Sequence, residues 1–441
     1  MYIDFPKVEV VIQGMEQIKI PPMVRIRQKY DDYFIKDLPS HIRLQMNILP
    51  DRKDYKGKRI CITAGSRGIP HLDVILKAIC DQLKAWGAKP FIIPAMGSHG
   101  GGTAQGQLEI LAGYNVTKET IGVPVISSME VVQYGTLDDG TPLYCDRYAY
   151  QSDGIVLLNK IKPHTDFRGE HESGLAKMIA IGISKHKGAS AFHRMGFSKF
   201  AENIPRAAEC FIDRLPVAFG VGIVQNAYDD IYNIDIIPKE QIMAKDKELL
   251  VIAKEKLAKF KFKDLDVLII DEIGKNISGF GFDPNVVGRT NGWQPGFSEI
   301  LNLQKLFIRG LTEQSHHNGS GISEADITTG RCLNSIDWSV TWTNIITSTR
   351  ICGGRIPMYM NNDREALLLA IKTCNGVNYD KVKIARIKNT LELYEIEVSL
   401  PLYEELKDYS EVKWLQGPYE LKFDNEGFML PLKTKKNRII Q

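Results

Sequence analysis

The stretch KRICITAGSRGIPHLDVILKAICDQLKAWGAKPFIIPAMGSHGGGT, residues 58–103, decides the fold. It predicts a strand over 58–63, a glycine turn, a helix whose apolar residues recur at helical spacing, a second strand over 89–94 and a second, glycine-rich loop. Another helix is expected from about residue 103 to residue 112. Strands and helices that alternate in this way are typical of a parallel sheet with helices packed on its faces.

A chain of 441 residues is too long for one typical core, so we expect two domains. A Lys-rich helical segment over 239–259 is expected to connect them, and the apolar run 266–271 restarts the strand pattern. We therefore predict an α/β protein of two α/β domains with parallel or mixed sheets. The predicted domains are residues 1–259 and 260–441, with the active site in the cleft between them.

Composition argues against several functional classes. The apolar fraction of 44% and the charged fraction of 25% are ordinary for a globular protein. A net charge of +3 is too small to indicate a nucleic-acid-binding surface. No apolar run reaches the roughly 20 residues of a membrane helix, and the first residues lack a signal-peptide core. The seven cysteines are scattered without a CxxC pair, which is typical of reduced thiols. We expect a cytoplasmic protein that binds neither nucleic acid nor membrane.

The glycine-rich loop GSHGGGT, residues 97–103, is a candidate anion site. It lacks the Lys and the spacing of a P-loop, but glycines let backbone N–H groups approach a ligand, and the start of the following helix attracts negative charge. The residues expected to contact a bound cofactor are Ser98, Gly100, Gly101 and Thr103. A tight turn without a ligand is the alternative that this pattern leaves open.

Three polar side chains follow predicted strand ends: Arg67, His99 and His164. Ligands bind at the carboxyl ends of strands in such sheets, so we expect these side chains to converge. A guanidinium is suited to gripping a substrate carboxylate, and an imidazole can act as acid or base near neutral pH. For Arg67 alone, an ordinary surface arginine is the commoner case.

The segment SGLAKM, residues 173–178, places Lys177 among small and apolar residues. Partial desolvation lowers the pKa of a lysine and makes it a candidate for covalent chemistry, although a solvated surface lysine is the simpler alternative. His186 and His193 follow, and histidine is the commonest protein ligand of nickel-class metals. Neither has a second ligand four residues on, so a metal here would need most of its ligands from an organic cofactor.

Together with DEIGK (271–275) and DPN (283–285), these motifs resemble the nickel-dependent lactate racemase family over most of the chain. The resemblance implies a nickel pincer nucleotide joined covalently to Lys177. It implies His193, in preference to His186, as the metal ligand. It also implies further roles, with His99 and His164 as paired acid/base groups, Arg67 as the substrate clamp, and Lys275, Asn285 and Arg289 as cofactor-binding residues.

The activity implied by this resemblance is racemisation or epimerisation of a 2-hydroxy acid. One histidine would remove the hydroxyl proton while the pincer carbon accepts a hydride, and return of the hydride to the other face of a 2-keto acid would invert the carbon. Cofactor-biosynthesis enzymes are the implied partners, so the purified protein can lack its cofactor. Two alternatives remain: a non-catalytic carrier or sensor of the nucleotide, and a nickel-independent nucleotide-binding enzyme.

The chain departs from the family pattern between His164 and Lys177, where it is longer and more polar. His171 in this segment is an alternative to His164 as the second acid/base group. Extra polar groups are what a larger substrate needs, so we expect a sugar acid or a dicarboxylic hydroxy acid ahead of lactate. Other departures are Ala64, Gly288 and Asn291 in place of polar family residues, with Arg289 as a replacement cation. The polar residues added before Lys177 are Arg168, Glu170, His171 and Glu172.

Overall fold

A computed structural model describes residues 1–10, 12–50, 52–66, 68–290 and 295–432. Its strands are β1 (Met23–Gln28), β2 (Arg59–Ala64), β3 (Lys89–Pro94), β4 (Val131–Thr136), β5 (Pro142–Asp146), β6 (Gly154–Lys160), β7 (Val217–Gln225), β8 (Ile231–Pro238), β9 (Asp264–Ile270), β10 (Asn302–Ile308), β11 (Ile327–Thr329), β12 (Met358–Met360), β13 (Ile384–Ile387), β14 (Glu395–Ser399) and β15 (Val412–Tyr419). Its α-helices are α1 (Leu38–Asn47), α2 (Leu72–Ala85), α3 (Ala104–Gly113), α4 (Lys118–Ile121), α5 (Arg147–Tyr150), α6 (Leu175–Lys177), α7 (Lys185–Arg194), α8 (Phe200–Arg214), α9 (Ile242–Lys256), α10 (Pro284–Val287), α11 (Gly330–Asn334), α12 (Trp338–Thr347), α13 (Asp363–Lys372) and α14 (Leu400–Leu406).

The chain divides into two compact units, residues 31–257 and residues 1–30 with 258–441. The division after residue 257 lies close to the predicted boundary at 259/260. The predicted partition differs for residues 1–30, because β1 is hydrogen-bonded between β14 and β15 in the sheet of the second unit. Local sequence pattern carries no signal for a pairing between strands so far apart in the chain.

The unit of residues 31–257 is built on a sheet of strand order β3-β2-β6-β7-β8. The first four strands are parallel and β8 is antiparallel to β7. Along β6, Ile155 and Leu157 join the core formed with α6, α8 and α9, whereas Val156 and Leu158 join the core formed with α1, α2 and α4. A sheet covered by helices on both faces confirms the predicted α/β class.

Strand order also determines where the candidate loops emerge. Because β2 lies between β3 and β6, and all three are parallel, the loops that follow them leave the same edge of the sheet from neighbouring strands. These loops begin after Ala64, Pro94 and Lys160. The loops after β3 and β6 carry the predicted site residues His99 and His164, so the topology brings these two loops to one edge of the sheet.

Helix α9 does not serve as a free connector between the units. Its apolar residues Ile242, Leu249 and Leu250 are buried in the core of residues 31–257, and the helix packs against β7. The predicted segment therefore belongs to this packed unit up to residue 257, and one 3-10 turn over Lys239–Gln241 precedes the helix.

The second unit contains a sheet of strand order β12-β11-β10-β9-β13-β14-β1-β15. Strands β9 to β13 pair in parallel, and β14, β1 and β15 extend the sheet in antiparallel fashion. The cysteines of the chain are free thiols; Cys210 and Cys352 are half-buried and the others are buried. In the described ranges, none of the helices has both the length and the apolar character needed to cross a bilayer.

Candidate functional site

The loops after β2 and β3 are joined by a hydrogen bond between Ser66 Oγ and His99 Nδ1. The Ser66 carbonyl in turn accepts a hydrogen bond of 2.8 Å from the Tyr114 hydroxyl, which holds this loop against the end of α3. His99 is exposed, and with Nδ1 engaged it would exchange a proton with a ligand through Nε2. Arg67, the predicted substrate clamp, lies outside the described residues, so its role stays a prediction.

Three consecutive left-handed glycines shape the loop after β3. Gly100, Gly101 and Gly102 have φ angles of +67°, +65° and +65°. A Cβ at Gly100 would lie 2.6 Å from the Gly106 carbonyl carbon, so this position needs glycine for space as well as for conformation. At Gly101 a Cβ would meet nothing within 4 Å.

Three backbone amides of the predicted anion site donate hydrogen bonds within the loop itself. The amides of His99, Gly102 and Thr103 donate to the carbonyls of Met96, His99 and Gly100. The Thr103 hydroxyl accepts from the Gly106 amide, so Thr103 is the N-cap of α3. The hydroxyl and the amide of Thr103 therefore both have partners within the protein, and its place in the loop needs no ligand to explain it. Gly101 is exposed, whereas Ser98 and Gly100 are half-buried, and the cofactor contacts of all three stay predictions.

Buried polar side chains form hydrogen bonds to the backbone of the same loop. Gln107 donates to the Gly97 carbonyl at 2.9 Å and to the His99 carbonyl at 3.3 Å, and it accepts from Lys185 Nζ at 3.2 Å. Lys185 also forms an ion pair of 3.3 Å with Asp146, and both side chains are fully buried. Burial lowers the pKa of Lys185 and raises that of Asp146. Sequence reasoning missed this pair, since nothing in the local pattern marks Lys185 as buried.

The predicted attachment residue Lys177 ends α6 and precedes a π-helical turn over Met178–Gly182. The Gly182 carbonyl accepts a hydrogen bond of 3.0 Å from Gly97, and a Cβ at Gly182 would lie 2.7 Å from the Ala95 carbonyl oxygen. The π turn that follows Lys177 and the glycine-rich loop are therefore in direct contact. Single π turns occur frequently at functional sites.

His193, in the last turn of α7, is held neutral beside this lysine. Burial, and after it the positive charge of Lys177, lower the pKa of His193 to about 4, while the Asp166 carboxylate acts in the opposite direction. Its Nδ1 atom is buried, and no hydrogen-bond partner for it lies in the described part of the chain. The electrostatic influence of Lys177 places the two predicted cofactor residues near each other.

His186 has a different environment from His193. It is exposed at the start of α7 and lies beside the glycine-rich loop, where its Nδ1 is 3.6 Å from the Cβ position of Gly102. A neutral, sheltered imidazole is the better metal donor, so the geometry favours His193 over His186.

His164 is buried, and the loop around it fixes its ring. Its backbone amide donates to Glu172 Oε2 at 2.7 Å, and its Nδ1 accepts a hydrogen bond of 3.0 Å from the Asp166 amide. Neutral His164 therefore carries its proton on Nε2 in this arrangement. The Asp166 carboxylate lies 3.8 Å from the same Nδ1, beyond hydrogen-bond distance but close enough for its charge to favour a protonated ring.

An aromatic cluster brings His164 and His193 together. The Phe197 ring has its centroid 6.1 Å from that of His164 and 5.5 Å from that of His193. Phe167 lies 4.4 Å from the His164 ring, and Phe200 lies 5.4 Å from the His193 ring. One apolar wall therefore contacts both predicted site histidines.

The polar residues added before Lys177 have partners within their own unit. Buried Glu172 accepts from Lys254 Nζ at 2.7 Å and from Arg168 Nη1 at 3.4 Å. Exposed Glu170 pairs with a lysine of α9, and buried His171 forms a hydrogen bond of 2.9 Å with Asp246 of the same helix. These contacts explain the added residues without a larger substrate, and they tie His171 to helix α9.

The predicted cofactor residues of the second unit are engaged locally. Lys275 Nζ donates to the Gly279 carbonyl at 2.7 Å, and the buried Asn285 side chain donates to Asp283. Arg289 forms an ion pair of 2.6 Å with Asp326 and donates to three backbone carbonyls. The positive charge of Arg289 is therefore compensated within the protein and needs no bound ligand. Cofactor binding by Lys275 and Asn285 stays a prediction.

The described residues contain no group of three or more His, Cys, Asp or Glu side chains placed to hold a metal ion. His193 offers one neutral imidazole with a sheltered nitrogen, and Lys177 offers an amine close to it. One histidine and one lysine fit a metal that brings its other ligands on an organic group attached to the lysine.

Comparison with known proteins gives a family match for part of the chain and a fold match for most of it. Residues 55–203 match the family model of the lactate racemase N-terminal domain. The lactate racemase apoprotein from Thermoanaerobacterium thermosaccharolyticum shares the fold, with a TM-score of 0.51 and 16% identity over 89% of this chain and 99% of that chain. A Thermotoga maritima protein aligns with a TM-score of 0.48 and 13% identity over 80% of this chain and 96% of its own. No curated protein sequence matches. Residues 55–203 are therefore similar to the lactate racemase N-terminal domain, and the chain shares its fold with a lactate racemase apoprotein.

Proposed function

We propose that this protein is a racemase or epimerase that inverts the 2-hydroxy carbon of a 2-hydroxy acid, using a nickel pincer nucleotide attached to Lys177. The observation that carries the proposal is the juxtaposition of Lys177 with His193, a neutral imidazole whose Nδ1 has no hydrogen-bond partner within the described residues. The match of residues 55–203 to the lactate racemase N-terminal domain supports the same class of enzyme.

Lys177 would hold the nucleotide through its amine, and His193 would donate one imidazole nitrogen to the nickel. A metal ligand must be unprotonated, and a pKa of about 4 meets that requirement at neutral pH. When bound, the group would supply a carbon that accepts a hydride and a nickel ion that activates this carbon. Side chains of the protein would carry out all proton transfers.

His99 and His164 would exchange protons with the substrate hydroxyl. Each follows a parallel strand of one sheet, β3 for His99 and β6 for His164. His164 would accept a proton at Nε2 after its own proton has moved to Nδ1, and the Asp166 carboxylate, 3.8 Å from Nδ1, would stabilise the positive charge of the ring that results. Arg67 would hold the substrate carboxylate.

Two histidines suit a reaction that has to run on both configurations, since one can remove the hydroxyl proton and the other, already protonated, can donate its own proton to the product. A carrier or sensor of the nucleotide would need Lys177 and His193 but no paired bases. The free thiols of the chain support a reducing compartment, and we place the enzyme in the cytoplasm with the enzymes that make its cofactor.

The substrate is a 2-hydroxy acid whose side chain has to be found by assay. Arg168 and Glu172 are engaged with each other, with Lys254 and with the backbone of His164, so they give no separate signature of a sugar acid. A panel of lactate, a dicarboxylic hydroxy acid and several sugar acids covers the chemistry that the site would accept.

The test is to co-express the protein with the pincer-cofactor biosynthetic genes and to measure intact mass and nickel content. We expect a nickel-bearing adduct in the wild type and in Lys199→Ala, a control that removes an exposed lysine paired with Glu202, and no adduct in Lys177→Ala. Loaded protein would then be assayed for inversion of each acid in the panel.

Two results would overturn the proposal. Absence of an adduct, while a lactate racemase loads in the same host, would exclude the cofactor and direct attention to nickel-independent nucleotide binding. An adduct that forms equally in His99→Ala and His164→Ala, with no inversion of any acid by the wild type, would identify a carrier or sensor.

A further inference from the structure

Asp246, a residue of α9, reaches the turn that carries Lys177. Its Oδ1 accepts a hydrogen bond of 2.5 Å from the Leu175 amide, and its Oδ2 lies 2.9 Å from His171 Nδ1. The side chain is 1% exposed. A carboxylate buried to this degree is retained only where donors satisfy it, and these two contacts supply them.

The Leu175 contact replaces a cap that the local sequence cannot provide. The residue before α6 is Gly174, which has no side chain to accept the first amide of the helix. Asp246 accepts that amide from another helix. A Cβ at Gly174 would lie 2.2 Å from Asp246 Oδ1, so glycine is what admits the carboxylate.

The contact with Asp246 determines which nitrogen of the His171 ring carries the proton. An ionised carboxylate only accepts hydrogen bonds, so His171 must donate from Nδ1. His164, whose Nδ1 accepts from the Asp166 amide, has the opposite assignment. His171 is therefore part of the support of the lysine turn.

Helix α9 supports His164 as well. Lys254, two turns after Asp246, donates to Glu172 Oε1 at 2.7 Å, and Glu172 Oε2 accepts the His164 amide at 2.7 Å. One helix thus contacts both segments on which the proposed chemistry depends.

We propose that Asp246 is a positioning residue for Lys177, which fixes the turn that presents the lysine amine for covalent attachment. This inference rests on the proposed function, in which Lys177 is the attachment residue. It concerns the apo protein, so it can be tested before any cofactor is bound.

The test compares Asp246→Ala and Asp246→Asn with the wild type, using hydrogen exchange of residues 175–178 and the rate of Lys177 acetylation by an N-hydroxysuccinimide ester. Glu248→Gln is the matched control, because Glu248 is an exposed carboxylate on the same helix that pairs with Lys245. In Asp246→Ala we expect exchange about tenfold faster and acetylation altered by about threefold or more, since loss of a cap opens the turn locally.

Asparagine keeps an oxygen for the Leu175 amide, so Asp246→Asn should restore most of the protection. Its amide N–H₂ would face His171, which should move the ring proton to Nε2, as ¹⁵N chemical shifts would report. Exchange and acetylation rates in Asp246→Ala equal to those of Glu248→Gln would overturn the proposal. If Asp246→Ala does not fold, Asp246→Asn decides: unchanged His171 shifts would show that residue 246 does not make the contacts on which the proposal rests, and would overturn it.

Adduct formation separates this inference from the proposed function. A wild-type protein that never acquires an adduct would refute the proposed function while leaving the exchange result intact. A wild type that loads normally, with Asp246→Ala loading at the same rate and showing wild-type exchange, would refute only the role of Asp246.

Discussion

The charge of Lys177 acts on the ring of His193, and together with burial it holds the pKa of that ring at about 4. The two residues come from different helices, α6 and α7, on either side of a π turn. Their proximity means that removing the charge of the lysine, by attachment or by mutation, changes the proton affinity of the histidine.

Replacement of Lys177 by Met should raise the pKa of His193. Burial is the larger cause of the lowered pKa, so the new value should remain below the ordinary 6.5. An NMR titration of the histidine signals of the apo protein measures this. Lys199→Met, which removes an exposed charge paired with Glu202, should leave His193 unchanged. Equal titration curves in wild type and Lys177→Met would show that the two side chains are not coupled.

Because the pKa of His193 is lowered on folding, stability should decrease in acid. Between pH 6.5 and about 4 the unfolded chain binds a proton at His193 that the folded chain does not, so the free energy of unfolding falls as pH falls through this window. His193→Phe removes the titrating group and keeps a ring against Phe197 and Phe200. From about pH 7 to about pH 5, urea titrations should show the wild type losing about 1–2 kcal/mol more than this variant.

Asp166→Asn tests the partner of His164. The variant keeps the backbone N–H that donates to Nδ1 but loses the negative charge 3.8 Å away, so the protonated ring loses its electrostatic partner. Turnover of the loaded enzyme should fall by at least about tenfold. In the apo protein the pKa of His193 should fall further, because Asp166 raises it. Asp138→Asn, at an exposed site paired with Arg206, is the control. A normal turnover in Asp166→Asn would remove this residue from the mechanism.

The sequence predicted the parts of the site that depend on local pattern. The apolar runs of β2, β3 and β6 are adjacent parallel strands, and His99 and His164 follow two of them, because strand ends can be located from hydropathy and glycine. The helix after the glycine-rich loop begins one residue later than expected, since Thr103 acts as its cap.

Features that depend on distant contacts could not be predicted. Asp246 appears in the sequence as one acidic residue of a Lys-rich helix, and only the packing of α9 brings it to Leu175. Lys185 lies between a serine and a histidine in a polar run that indicates a surface, yet its side chain is fully buried. The same holds for β1, whose partners β14 and β15 are near the other end of the chain.

Lys185→Met should destabilise the protein strongly. The variant leaves Asp146 buried without its cation, which typically costs about 3–5 kcal/mol. Adding Asp146→Asn to this variant removes the uncompensated charge and should recover part of the loss. Lys199→Met, on the surface, should cost no more than about 1 kcal/mol. Urea unfolding of the four proteins gives the comparison, and a double variant no more stable than Lys185→Met would show that the pair is not the cause.

The glycine-rich loop offers a matched pair of substitutions. Gly100 and Gly101 have nearly the same left-handed φ, so alanine at either position should cost about 1–2 kcal/mol in backbone strain. Only at Gly100 does the new Cβ meet backbone, 2.6 Å from the Gly106 carbonyl carbon. Gly100→Ala should therefore be less stable than Gly101→Ala by about 1–3 kcal/mol, the usual cost of overpacking. It should also weaken the Ser66–His99 contact, visible as a changed His99 titration, whereas Gly101→Ala should preserve it. Equal stabilities of the two variants would mean that the loop adapts to a side chain at residue 100, and that the close approach to α3 does not hold His99 in place.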